Sequence, residues 1–269
     1  MARRPSNVPL FNFAYHPQGT WDRIAEVAKD EPWGKNNKVL ELYLRANFEI
    51  AKQEGKVFEN RNELKAFWRA GWLVNETSDP IWIVYHENRG GEQHWRFKDV
   101  FTGDIPVEGL DPEKYALDYK YPKFNRSWDI HFEQRNIEHI LLHARNLERL
   151  REVFQGVFKG NLNTHLVFRA IYGEIQLKRK EEAVIPQYYR GNYQFVMPLY
   201  LLTGEKVDLT AALTPDDVNR RYSIRTLLLP AFAYAYARAV VKNRDQFAHW
   251  MQLPKDELEI DVSVDEENL

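Results

Sequence analysis

The residues best suited to chemistry lie in the second half of the chain, where tyrosines and arginines alternate with amides. Segment 185–208 reads IPQYYRGNYQFVMPLYLLTGEKVD, and Tyr234 and Arg238 lie one helical turn apart further on. Arginine binds phosphate, and a tyrosine ring stacks on a nucleobase. This composition predicts a site for RNA or a nucleotide if the fold brings these segments together.

A basic, tyrosine-lined cleft in the C-terminal half is the form that we expect this site to take. We assign the phosphate contacts to Arg149, Arg190 and Arg238. Stacking or hydrogen bonding is assigned to Tyr188, Tyr189 and Tyr234, and the reading of polar ligand edges to Gln187 and Gln194. An alternative of equal weight is that the tyrosines fill the core while the arginines stay in solvent.

Two further residues support a second hypothesis, an enzyme that acts on nucleotides or RNA ends. His139 could serve as acid or base, because the ordinary pKa of histidine lies near neutral pH. Asp208 stands between two apolar residues, so burial of its carboxylate would require a partner. Arg238 and Arg225 are the candidates for that partner.

A metal site is a weaker interpretation of the histidines. His139 and His143 lie four residues apart on a predicted helix, and Asp129, His131 or Glu133 could add a third ligand. However, the HExxH pattern is absent and the chain has no cysteine. We therefore expect no metal and no cofactor. The Walker, GxGxxG and GxSxG patterns are also absent, which excludes the classes that those motifs mark.

Segment 93–100 predicts a strand with one cationic side. Trp95 and Phe97 alternate there with His94, Arg96 and Lys98. We favour a solvated outer face over a phosphate contact for the cationic side.

Hydrophobic periodicity predicts the elements that position these residues. Helices are expected at 21–28, 39–53, 130–157, 163–180 and 231–251. Strands are expected at 56–59, 67–74, 81–87 and 93–100, and again at 185–202, 207–213 and 222–229. The predicted fold is α+β: helices packed on antiparallel sheets in two closely joined lobes, with a C-terminal three-strand meander followed by a long helix.

The predicted domains are an N-terminal helical and antiparallel-sheet lobe at 1–118, a C-terminal lobe with the cleft at 119–253, and an acidic tail at 254–269. The 269 residues carry 37 basic and 39 acidic side chains, and seven of the acids lie in 255–269 with one lysine. The rest of the chain thus has 36 basic against 32 acidic groups. A mildly basic body permits a phosphate-bearing ligand but is not typical of a dedicated DNA binder.

Features that the sequence lacks predict the cellular compartment, and its aromatic content permits a protein partner. The absence of cysteine, of a secretory signal and of an apolar run of about 18 residues predicts a cytoplasmic protein without membrane contact. A third hypothesis is a component of a larger complex. In that case the aromatic residues, 14% of the chain, would partly serve an interface with a protein partner or a second copy.

The order of motifs resembles the bacterial domain-of-unknown-function 3825 family. The resemblance rests on LFNFA, YLRANFEIAKQEGKV, WRAGWL, IPQYYRG, QFVMPLYL, VDL and AYAYAR, of which IPQYYRG with QFVMPLYL is the most specific. It covers most of the chain and implies RNA-linked work with no settled activity. The matching positions are His139, Asn146, Arg149, Pro186, Gln187, Tyr188, Tyr189, Gln194, Asp208, Tyr234 and Arg238.

The chain also departs from the family pattern, as a divergent member would. Arg69 and Ala70 stand where an Asn-Thr pair is expected before Gly71, and two glutamates precede IPQYY in place of a lysine. Ala235 and Tyr236 replace two asparagines in the last helix, and an aspartate is missing at its start. The loss of an acid and several amides favours binding over catalysis.

Overall fold

The structure is a computed structural model that describes residues 8–60, 62–107, 109–132, 147, 150, 151, 153, 154, 163–178, 184–202, 204–243 and 245. The chain forms two compact units that divide between Lys120 and Tyr121. Our sequence-based boundary falls at residues 118 and 119. The predicted acidic tail lies outside the described residues.

The N-terminal unit combines short helices with a five-stranded sheet. Its elements are α1 (Pro9–Phe13), β1 (Ala14–Tyr15), α2 (Thr20–Val27), a 3₁₀ turn (Lys35–Asn37), α3 (Lys38–Gln53), β2 (Phe58–Asn60), β3 (Lys65–Val74), β4 (Pro80–Glu87), β5 (Trp95–Thr102) and α4 (Pro112–Tyr115). The strand order is β1-β5-β4-β3-β2, with β1 parallel to β5 and the other pairs antiparallel. The helices and strands that we predicted for this part are confirmed, with ends shifted by a few residues.

Helix α3 supplies much of the core of the N-terminal unit. Leu40, Tyr43, Leu44 and Phe48 recur at helical spacing, and all four are fully buried. The helix packs on β3, and Gly55 follows its end with a φ of 66°. A left-handed glycine just past the last turn is a common way to end a helix.

The C-terminal unit is built on a second five-stranded sheet. Its described elements are β6 (Asp129–His131), α5 (Thr164–Lys178), β7 (Ile185–Tyr189), β8 (Asn192–Leu199), β9 (Leu209–Asp216), β10 (Arg221–Leu228) and α6 (Pro230–Val240). The strand order is β6-β10-β9-β8-β7, with β6 parallel to β10 and the other pairs antiparallel. The α+β class and the C-terminal meander followed by a helix are therefore confirmed.

Two sequence-based boundaries in this unit are wrong. Residues 185–202 do not form one strand, because Arg190 and Gly191 turn the chain and pair β7 with β8. The meander therefore has four strands. The helix predicted over 130–157 is wrong at its start, because 129–131 form β6, which pairs with β10 at Ile130. Most of the remaining predicted range lies outside the described residues. A three-residue edge strand has too short a pattern to be separated from a following helix by periodicity.

The two faces of the C-terminal sheet pack against different helices. One face forms a buried apolar cluster with α5, whose members include Ile171, Ile175, Phe195, Met197, Leu209, Leu213 and Ile224. Helix α6 packs on β7, with further contacts to β8 and β9. Because side chains alternate along a strand, the neighbours of the α5-facing residues lie on the α6 side.

Candidate ligand site on the C-terminal sheet

A tight hairpin turn brings the IPQYYRG motif to one end of the sheet. Tyr189 pairs with Asn192, which leaves Arg190 and Gly191 as a two-residue loop. Their φ angles are 47° and 78°, and a type I′ turn requires positive φ at both positions. A positive φ is uncommon for arginine, so the turn holds Arg190 in a conformation that most side chains avoid.

Three residues form what we call the tyrosine-arginine cluster: Tyr189, Arg190 and Tyr236. The rings of Tyr189 and Tyr236 meet edge to face with centroids 5.0 Å apart. The Cζ atom of Arg190 lies 5.4 Å from the centroid of the Tyr189 ring. All three side chains are partly exposed, so the cluster places a cation beside two accessible aromatic rings.

The two adjacent tyrosines of the motif lie on opposite faces of the sheet. Tyr188 is only 2% exposed and packs against Tyr193, with ring centroids 5.3 Å apart. Tyr189 faces α6 through its contact with Tyr236. Because consecutive strand residues alternate, these tyrosines cannot line one cleft together, which our sequence-based assignment overlooked.

Gln187 and Gln194 contact each other directly. They are directly opposed on β7 and β8, and Gln187 Nε2 donates to Gln194 Oε1 at 3.2 Å. Gln187 is 1% exposed, yet its Oε1 has no hydrogen-bond partner among the described residues. An unsatisfied buried acceptor costs about 1–3 kcal/mol, so this oxygen is a place where a ligand could donate.

The glutamine pair continues across the sheet into a line of polar side chains. Phe195 pairs with Leu213, so the next position in the antiparallel register sets Thr214 beside Gln194, and Thr214 pairs with Ser223. The buried Oγ1 of Thr214 also lacks a partner among the described residues. We call Gln187, Gln194, Thr214 and Ser223 the polar row.

Tyr234 and Arg238 are buried within α6. Tyr234 is 1% exposed and Arg238 is 4% exposed. Arg238 Nη1 donates to the carbonyl oxygens of Val241 and Lys242, both at 3.2 Å, just beyond the end of the helix. Arg238 thus satisfies carbonyl groups that the helix itself leaves open and places positive charge at the negative end of the helix dipole.

Asp208 holds the connection between β8 and β9. Its Oδ2 accepts hydrogen bonds from the backbone N–H groups of Leu201, at 2.7 Å, and Leu202, at 3.0 Å. The ion pair that we predicted with Arg238 or Arg225 is not found between these described residues. Two backbone donors satisfy the carboxylate instead, which gives Asp208 a structural role in the fold.

The remaining predicted site residues are not part of this surface as described. Arg225 is exposed on β10 at a bulge in the pairing with β9. His139, Asn146 and Arg149 lie outside the described residues, as do His143 and Glu133. Among the residues that the structure describes, no group of three His, Cys, Asp or Glu side chains could hold a metal ion.

Sequence reasoning missed Thr214 and Ser223 and gave Tyr236 no specific role. One signal for Thr214 was available, because β9 alternates Leu209, Ala211 and Leu213 with Thr210, Ala212 and Thr214. That alternation separates a more polar face from an apolar one. No comparable signal pairs Tyr236 with Tyr189, since that contact depends on how α6 packs.

The fold and site together define an α+β protein with two five-stranded mixed sheets. The sequence profile of the family described as Domain of unknown function (DUF3825) matches residues 24–247, and the chain belongs to that family. No curated protein and no solved structure matches the chain. Within the described part of the chain, every helix is too short or too polar to cross a lipid bilayer.

Proposed function

We propose that the C-terminal unit binds RNA or a nucleotide on the α6 side of its sheet, with the polar row holding the base and the tyrosine-arginine cluster holding the sugar-phosphate end. The observation that carries the proposal is Gln187 Oε1, a buried acceptor inside a row of polar side chains that has no donor among the described residues.

The polar row supports recognition of a base edge. A nucleobase presents amino and imino donors next to carbonyl acceptors on one planar edge. Gln187 Oε1 could accept from such a donor, and Thr214 Oγ1 could donate or accept. A site with built-in polar groups discriminates strongly, because a ligand that leaves those groups unpaired loses the hydrogen bonds that offset their desolvation.

The tyrosine-arginine cluster supports binding of the rest of the ligand. Tyr189 lies on the same face of β7 as Gln187, two residues further along the strand. Arg190 follows it at the hairpin tip, where a guanidinium can reach a phosphate as a planar donor. The ligand would therefore extend from the polar row toward the turn.

The test is titration of the full chain with ribonucleotides and with a single-stranded RNA of about eight nucleotides, at two salt concentrations. The informative variants are Arg190→Gln and Thr214→Val. Lys206→Gln is the charge-matched control, because Lys206 is exposed in the β8–β9 connection at the other end of the sheet.

Arg190→Gln should weaken binding about tenfold and reduce its dependence on salt, since one phosphate contact is lost. Thr214→Val should weaken binding several-fold with no change in salt dependence, and Lys206→Gln should have little effect. Absence of binding to every nucleotide and RNA at low salt would refute the proposal, and so would equal losses in all three variants.

A further inference from the structure

A second row of polar side chains crosses the sheet of the N-terminal unit. Asn60 pairs with Lys65, Lys65 with His86, His86 with Arg96, and Arg96 with Tyr15. Directly paired residues point to the same side of a sheet, so these five side chains share one face across all five strands. We call Lys65, His86 and Arg96 the cationic row.

The cationic row occupies the part of this face that the described residues leave uncovered. One step along the strands, Phe58, Phe67 and Val84 are also paired, and they pack against Tyr115 and the segment that contains Ile105, Val107 and Leu110. Lys65 Nζ donates to the carbonyl oxygen of Pro106 at 2.7 Å, which marks the edge of that cover. Beyond it, His86, Arg96 and Tyr15 are exposed.

This arrangement concentrates positive charge. Opposed like charges on neighbouring strands destabilise a sheet, so the fold alone gives no reason for the row. Partial burial, together with the charges of Arg96 and Lys98, lowers the pKa of His86 below its ordinary value. The nearby acids have other partners: Glu87 accepts from Arg89, Glu59 from Trp95, and Asp99 lies 3.5 Å from Arg23.

The surface also has a shape that can hold a ligand. His86 and Arg96 border an open depression of about 470 Å³, whose other lining residues are Leu64, Glu87, Asn88 and Arg89. At the far end of the row, the Cζ atom of Arg96 lies 5.2 Å from the centroid of the Tyr15 ring. Tyr15 is 43% exposed, which leaves its ring accessible to a second planar group.

We infer that the open face of the N-terminal sheet is a second nucleic-acid surface, on which single-stranded RNA runs across the strands. Neighbouring strands lie about 4.8 Å apart, so Lys65 and Arg96 present cations two strands apart along the path of a phosphate backbone, with the imidazole of His86 between them as a hydrogen-bonding group. Tyr15 would stack a base at the end of that path. The exposed ring beside a cation favours RNA over an acidic peptide, which has no base to stack.

The test compares binding of a single-stranded RNA of about twelve nucleotides by the full-length chain and its variants. Arg96→Gln combined with Lys98→Gln removes two exposed cations of β5, and Tyr15→Ala removes the ring. The control combines Lys29→Gln with Lys120→Gln, two exposed lysines of the same unit that lie outside the sheet. Melting curves check that each variant is folded.

The β5 double variant should bind RNA at least about tenfold more weakly at low salt, with the slope of log affinity against log salt reduced by about 1.4. Tyr15→Ala should weaken binding about tenfold with the slope unchanged, and it remains informative if the double variant does not fold. Both losses should persist in an Arg190→Gln background, which separates this surface from the site on the C-terminal sheet.

Wild-type affinity and slope in the β5 double variant would overturn the inference. Equal losses in the lysine control would also overturn it, because they would indicate binding through net charge alone. Binding of polyglutamate as tight as binding of RNA would identify an acidic-protein surface instead, and tighter binding of duplex RNA would exclude the single-stranded form.

Discussion

Two buried amides, one in each unit, differ in how their hydrogen bonds are satisfied. Asn47 is 0% exposed; its Nδ2 donates to the carbonyl oxygen of Tyr43, and its Oδ1 accepts from the hydroxyl group of Tyr119. Gln187 is 1% exposed, and its Oε1 has no partner among the described residues. The two side chains are therefore equally buried, but only the amide oxygen of Asn47 has a hydrogen-bond donor among the described residues.

The difference separates an amide with a structural role from the amide to which we assign a ligand contact. Asn47 belongs to a network in which the Tyr43 hydroxyl group also donates to the carbonyl oxygen of Ala70 and accepts from the N–H of Trp72. Such a network fixes α3 against β3 and gains nothing from a ligand. The Gln187 acceptor, which has no donor among the described residues, costs stability, and a ligand that donates to it would recover that cost.

The largest loss of stability is expected from a substitution that disrupts the hydrogen bonds of Asn47. Gly71 has a φ of 59°, and a Cβ atom added there would lie 2.3 Å from both Asn47 Oδ1 and the Tyr43 hydroxyl oxygen. Gly71→Ala should therefore lower the free energy of unfolding by about 4 kcal/mol, through backbone strain and displaced hydrogen bonds. Urea denaturation measures it.

Gly55→Ala is the matched control for that change. Gly55 also has a positive φ, 66°, but a Cβ atom there would meet nothing within 4 Å. Strain alone should lower stability by about 1 kcal/mol. Similar losses at both glycines would contradict the role given to the Asn47 network.

Acid should weaken the N-terminal unit through the half-buried ring of His16. His16 stacks on Trp21 with centroids 5.0 Å apart, and burial lowers its pKa from 6.5 to about 4. Above about pH 6.5 the ring is neutral in both states; as the pH falls toward about 4, only the unfolded chain binds the proton. Stability should therefore fall by up to about 3 kcal/mol across that window.

His16→Phe should remove this part of the pH dependence. The measurement is the melting temperature of both proteins between about pH 7 and pH 4, followed by tryptophan fluorescence. Six of the eight tryptophans belong to the N-terminal unit, so this signal reports mainly on it. Parallel curves for the two proteins would show that His16 does not carry the effect.

A moderate effect is expected in the C-terminal unit at Asp208. Asp208→Ala leaves the N–H groups of Leu201 and Leu202 without their acceptor and should cost about 2 kcal/mol of stability. RNA and nucleotide binding by the folded variant should stay within about twofold of wild type. If Asp208→Ala instead abolished binding or turnover without lowering stability, the result would support our second hypothesis, in which Asp208 belongs to the active site of an enzyme that acts on nucleotides or RNA ends.

The smallest changes in stability are expected from two threonines of β9, one with a hydrogen-bond partner for its hydroxyl group and one without a partner among the described residues. Thr210 and Thr214 lie on the same face of β9, but Thr210 Oγ1 donates to the carbonyl oxygen of Leu228 at 3.2 Å, whereas Thr214 Oγ1 has no partner among the described residues. Thr210→Val should lower stability by about 1 kcal/mol, and Thr214→Val should raise it by a similar amount. Opposite signs in thermal unfolding are the expected result, and equal signs would contradict it.

Much of the fold could be predicted from sequence because its pattern is local. The stripe from Leu40 to Phe48 identifies α3 at once, and Pro230 correctly marks the start of α6. The turn at Arg190 and Gly191 was missed since arginine is rarely found at positive φ. Strand β6 was missed because three residues carry no readable period.

The site was predicted only in part, for a different physical reason. Both Gln187 and Gln194 were selected from the sequence, but their pairing follows from the β7–β8 hairpin, which we did not predict. The separation of Tyr188 from Tyr189 follows from strand alternation and could have been predicted. The backbone partners of Asp208 and Arg238 lie only three to seven residues away in the chain, and our assignment of side-chain partners overlooked them. The contact between Tyr236 and Tyr189 depends on tertiary packing, which the spacing of residues does not encode.

The most direct test of the central claim replaces both glutamines, as Gln187→Leu with Gln194→Leu. Removing both partners of a buried hydrogen bond is nearly neutral for stability, so the free energy of unfolding should change by less than about 1 kcal/mol. Affinity for RNA or nucleotide should fall at least about tenfold, because the acceptor that reads the ligand is gone. A large loss of stability with unchanged binding would contradict the account and make the glutamine pair a structural feature.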